Sequence, residues 1–167
     1  MIKKGQSIIF LTMIFFLLSA CQPPANSKNV ETNAEMKAET QTIPTSKNDL
    51  KLLIKKADIS TSEDNVEITI QNNSSIEYMY GEDFHVEKRI KKTWYSVPFD
   101  DYVTFDDIGL VIQTNTSRAQ SIPLKKLKNF KIELSPGEYR IVKSFFPSEQ
   151  TPSKKNTVLL AVQFKIK

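Results

Sequence analysis

The 167-residue chain has one Cys, one His, one Trp and four Gly, and only three of its 23 basic residues are Arg. Each scarcity excludes something. A single Cys rules out an internal disulfide and any zinc site built from several thiolates. A single His confines any His-based triad to His85. Four Gly leave no Gly-rich phosphate loop, and no Ser sits in a G-x-S-x-G elbow. No stretch carries a sustained helical period, so long amphipathic helices are not expected. The formal charge of +4 falls to about +2 once Lys3 and Lys4 are set aside with the rest of residues 1–20, which hold no acid. A weak basic excess without a clustered basic face does not fit nucleic-acid binding.

What is present begins with a leader. Lys3 and Lys4 give a positive start, and residues 8–18 are apolar but for Thr12. That run is too short for a bilayer span, which needs roughly 20 residues. Residues 1–20 therefore read as a secretory signal. It ends in Leu18-Ser19-Ala20-Cys21: an apolar residue three before the Cys, then two small ones. This resembles a bacterial lipobox. The resemblance implies cleavage between Ala20 and Cys21 and a diacylglyceryl thioether on Cys21, with palmitate-type chains. It also implies anchorage to the extracytoplasmic face of the cell membrane, since two acyl chains hold a protein stably where one is marginal. The competing reading is an ordinary signal peptide with a chance Cys near its end. Residues 22–48 are polar, with Val30, Met36 and Ile43 isolated. They read as a flexible tether, which at ~5–6 Å × √n holds the following domain roughly 30 Å from the lipid.

From residue 49 to 167 the chain reads as one domain of short strands. Residues 50–56 suit an edge strand. Val66, Ile68 and Ile70 alternate with Glu67 and Thr69, so the first three face a core. Tyr78, Tyr80, Phe84 and Val86 continue a period of two across Gly81, a bulge signal. Lys91-Lys92 is read as a turn, and 93–99 as a strand that ends or lies at an edge because of Pro98. Residues 100–109 are acidic and irregular. Strands are expected over 108–113, 119–124, 129–134, 138–146 and 157–166, with a turn at 115–117. Pro136-Gly137 turns the chain into the central strand, and Tyr139 just inside it is placed to bond back to the upstream backbone as a tyrosine corner. Seven to eight strands with regular turns argue for an all-β, immunoglobulin-like antiparallel sandwich without a disulfide.

Several segments together resemble a known family. They are Asn72-Asn73, Tyr80-Gly81-Glu82-Asp83-Phe84 with Glu87, Trp94-Tyr95-Ser96-Val97-Pro98, and Leu134-Ser135-Pro136-Gly137-Glu138-Tyr139-Arg140-Ile141. They are similar to the bacterial immunoglobulin-like domain on exported proteins of low-GC Gram-positive bacteria, over about residues 50–146. The heavy preference for Lys over Arg fits such a genome. The resemblance implies a fold and a surface location, and carries over no catalytic or binding residues.

Few polar clusters compete as sites. Asp100, Asp101, Asp106 and Asp107 lack the spacing of an EF-hand loop and read as a solvated acidic loop rather than a Ca²⁺ site. Asp83, His85 and Glu87, at i, i+2 and i+4, share a strand face suited to a metal or to acid–base work. The plainer reading is an exposed polar face. Trp94 and Tyr95 point in opposite directions, and whichever is exposed is a ligand-contact candidate. Lys88-Arg89-Lys91-Lys92 and Lys125-Lys126-Lys128-Lys131 suit lipid headgroups or wall polymers, or serve as edge protection. The expectation is a non-catalytic binding or accessory lipoprotein of the cell envelope, without cofactor or metal, whose partners are the membrane and an envelope protein or wall polymer. The alternative is an immunity or sequestering lipoprotein that protects the cell from an antimicrobial peptide or wall-active compound. An enzyme using Asp83, His85 and Glu87 ranks third.

Overall fold

Alternation of apolar and polar residues dictates strands, and the computed structural model consists of them almost entirely. It describes residues 36–127 and 134–167. Among these, the strands are β1 (Met36–Lys37), β2 (Ser46–Lys47), β3 (Leu50–Ile54), β4 (Asp58–Ile59), β5 (Asn65–Asn72) and β6 (Tyr78–Tyr80). They continue with β7 (His85–Ile90), β8 (Thr93–Val97), β9 (Leu110–Ile112), β10 (Thr116–Pro123), β11 (Gly137–Pro147) and β12 (Val158–Ile166). One 3₁₀ turn, Leu124–Lys126, follows β10. The smaller sheet runs β10-β5-β3-β2, and the larger runs β1-β8-β7-β11-β12-β4, with β6 on the far end of β11 and β9 on β6. Among the described residues, all strand pairings are antiparallel except β12 with β4.

The two sheets close on one core. Leu52, Ile68 and Ile70 of the smaller sheet and Tyr139, Ile141, Phe145, Leu160 and Phe164 of the larger are buried in it. The last strand meets the expected pattern, with Val158, Leu160, Val162, Phe164 and Ile166 all buried. The Tyr139 hydroxyl donates to the Ser135 carbonyl at 2.7 Å, which fixes the chain's entry into β11 as the sequence led us to expect. Lys91 and Lys92 form the β7–β8 turn at φ 47° and 75°, a left-handed pair whose twist suits a two-residue hairpin.

Three expectations need correction. The tether does not extend to residue 48: from Met36 onward the chain lies against the sandwich, with β1 on the edge of β8 and β2 on the edge of β3. Asn48 and Asp49, at the expected boundary, instead turn a hairpin between β2 and β3 at φ 53° and 58°. The strand over 50–56 is not an edge, because β3 lies between β5 and β2. Finally, Gly81 marks more than a bulge. The run breaks after Tyr80, and β6 and β7 pair with opposite ends of β11. The strand expected over 129–134 falls mainly outside the described residues.

Candidate functional site

Two charged residues on β11 organise the site because the strand is covered on both faces. Arg140 points away from the core and is 2% exposed. A guanidinium in such a place needs its donors satisfied. Its Nε donates to Glu87 Oε2 on β7. Its two terminal nitrogens donate to the carbonyls of Gln41 at 3.0 Å and Thr40 at 2.5 Å, and its central carbon lies over the Trp94 ring, 4.6 Å from the centroid. Those carbonyls belong to a strap, residues 38–45, that crosses the outer face of the larger sheet. Ala38 donates its N–H to the Trp94 carbonyl, and the Gln41 amide bonds both the N–H and the carbonyl of Trp94. At the far side Ala161 of β12 donates to Pro44, and Leu52 of β3 donates to Thr45. The strap thus passes from the edge of one sheet to the other.

Lys143 points to the core face, 1% exposed, beside the break between β6 and β7. The break frees two carbonyls, and the ammonium donates to Gly81 at 2.9 Å and to Asp83 at 2.7 Å. Burial pulls its pKa down to about 8, against the opposing effect of Asp83 and Glu82. Burial also pushes the Tyr139 hydroxyl up to about 12, partly offset by its bond to Ser135, and raises Tyr80.

The structure separates the residues singled out by sequence. Asp83 and His85 are exposed, but Glu87 is buried against Arg140, so the three do not form an exposed polar face. Among the described residues no group of three His, Cys, Asp or Glu is placed to hold a metal. Trp94 is buried beneath the strap rather than between the sheets, and Tyr95 on the opposite face is half-buried. Neither is a free aromatic platform. Ala20 and Cys21 lie outside the described residues. Sequence reasoning missed the strap, Arg140 and Lys143. The available signal was Arg140 and Lys143 within a strand flanked by apolar residues on both faces, which demands a polar partner on each side.

Among the described residues, one surface left open lies at the other end of β11. There β6 and β9 extend the sheet, with Met79 and Val111 on its outer side. Asp100, Asp101, Asp106 and Asp107 are exposed in the neighbouring loop, where Phe99 and Phe105 fold back onto Phe84 at 5.3 and 5.4 Å.

Two facing sheets, a tyrosine corner and a disulfide-free core define an immunoglobulin-like β-sandwich. The family model described as bacterial Ig-like domain matches residues 46–165, and the chain belongs to that family. A comparison with curated proteins finds no match.

Proposed function

We propose that the chain is a lipid-anchored extracytoplasmic protein whose Ig-like domain is a non-catalytic binding or accessory module at the cell envelope. The observation that carries this reading is the order of parts: a signal-like leader, then Cys21 in a lipobox-like setting, then an Ig-like domain over residues 46–165. The placement of polar groups supports it. Glu87 and Arg140 are engaged with each other, and Lys143 is engaged with backbone carbonyls, so their charges hold the fold together.

A second reading, sequestration of an antimicrobial peptide, draws support from the charge pattern. Residues 57–87 and 93–117 contain twelve of the nineteen acids and no Lys or Arg. Intact-cell cross-linking with the wild type and Cys21→Ser, followed by mass spectrometry, tests the first reading. Acylated wild type in the membrane fraction with a recurrent partner is expected, with the variant released to the medium. Unlipidated Cys21 in the wild type removes the anchor.

A further inference from the structure

Cross-strand register places three apolar side chains in a row on the outer side of the sheet. Phe146 pairs with Met79, and Met79 pairs with Val111. Their neighbours in the ladder, Tyr78 with Ile112 and Tyr80 with Leu110, point the opposite way, toward the core. Phe146 and Met79 are half-buried and Val111 is 42% exposed. The strap does not bond to this row; its contacts with the sheet are on β8, β11 and β12. Just beyond the Tyr80–Leu110 pair stand Gly81 and Gly109, and a Cβ on Gly109 would meet nothing within 4 Å. A partner's backbone can therefore approach closely at Gly109, whereas the Asp83 carboxylate fills the corresponding space at Gly81.

The rim is acidic on the β6 and β9 side. Glu77, two positions before Met79, is exposed, as are Asp106 and Asp107, four and three positions before β9, where the Lys126 ammonium lies over the neighbouring Phe105 ring at 4.7 Å. The loop after β11 carries Glu149 but also Lys154 and Lys155, so the acid is concentrated on one side of the row. The opposite end of β11 lies beside the Lys88–Lys92 hairpin, and its register partners there are Lys88 and Lys165. An acidic rim repels anionic lipid and phosphate. Three strands span about 10 Å, the width of one helix or one extended segment.

We propose that the outer face of β6, β9 and the end of β11 docks a cationic amphipathic peptide segment. The apolar side of that segment covers Phe146, Met79 and Val111, and its Lys or Arg side chains meet Glu77, Asp106 and Asp107. The proposal rests on the binding-module reading and names the partner that such a module takes.

The test is a titration of the full chain, purified in nonionic detergent, into a labelled synthetic peptide of Lys and Leu arranged on opposite helical faces. Its Glu-for-Lys counterpart and detergent alone serve as controls. The wild type is expected to bind the cationic peptide and not the acidic one, with affinity falling as salt rises. Val111→Lys and Glu77→Lys are each expected to weaken binding about tenfold, with circular dichroism unchanged, as for loss of one well-placed contact. Lys92→Glu at the opposite end is expected to leave it unchanged. Equal binding of both peptides, no binding above the detergent baseline, or binding unaffected by both surface variants overturns the proposal. Those failures leave the module reading standing if the cross-linked partner persists; loss of that partner removes the module reading separately.

Discussion

Arg140 and Lys143 sit three positions apart on one strand and point to opposite faces, so each is a probe of its own surroundings. Truncating one partner of a buried ion pair strands the other, at about 3–5 kcal/mol. Glu87→Ala is therefore expected to lower the unfolding free energy by several kcal/mol in urea titration, whereas Glu138→Ala, in an exposed pair with Arg89, is expected to change it little. Lys143 gives a pH signature. Its folded pKa of about 8 lies below its ordinary value of 10.5, so the unfolded chain binds more protons between them and stability rises with pH across that window. Tyr139 acts in the reverse sense. Its folded pKa near 12 exceeds 10.0, so its contribution is intact below pH 10 and lost above it. Wild-type stability is expected to gain on Lys143→Met from pH 8 to 10, by at most about 1.4 kcal/mol per unit, read from paired denaturation curves. Tyr139→Phe is expected to cost about 1 kcal/mol at pH 7 through the lost bond to Ser135.

At the scale of elements, the strands were legible because each carries its own period of two. Val66, Ile68 and Ile70, or Val158 through Ile166, need no knowledge of their neighbours to be read as buried faces. The strap was not legible for the opposite reason. Its hold on the sheet runs through backbone carbonyls of Thr40 and Gln41 and a side-chain amide, and hydropathy patterns report none of these. The same blindness left the placement of Trp94 undecided and Glu87 apparently exposed. The tyrosine corner, a motif with its own turn chemistry, revealed a side-chain hydrogen bond in advance because its partners are only four residues apart. A chain beginning at residue 49 thus lacks the cover over Trp94 and Arg140. It is expected to unfold at clearly lower urea concentration than one beginning at residue 33, and the difference should shrink when Arg140 and Glu87 are both replaced by Met.

At the scale of the molecule, charge is sorted along β11. The β7–β8 hairpin with Lys91 and Lys92 is at one end, and the acid-rimmed β6 and β9 are at the other. Each Lys near an anionic leaflet contributes about 1 kcal/mol within a Debye length. Flotation with anionic vesicles is expected to capture unacylated Cys21→Ser chain weakly, and to lose it on Lys91→Glu with Lys92→Glu or on raising the salt. Capture by zwitterionic vesicles would point instead to an apolar contact.

The strap also decides what happens when the chain is pulled. Any load arriving from the N-terminal side enters the described residues at β1, whose register with β8 is two residues long. Next in line is the Arg140 clasp. Peeling the eight residues 38–45 would pay out about 27 Å of slack at roughly 3.4 Å each before β2 and β3 of the smaller sheet carry tension. The strap therefore lies ahead of the β11–β12 ladder in the path of any tension that arrives from the N-terminal side.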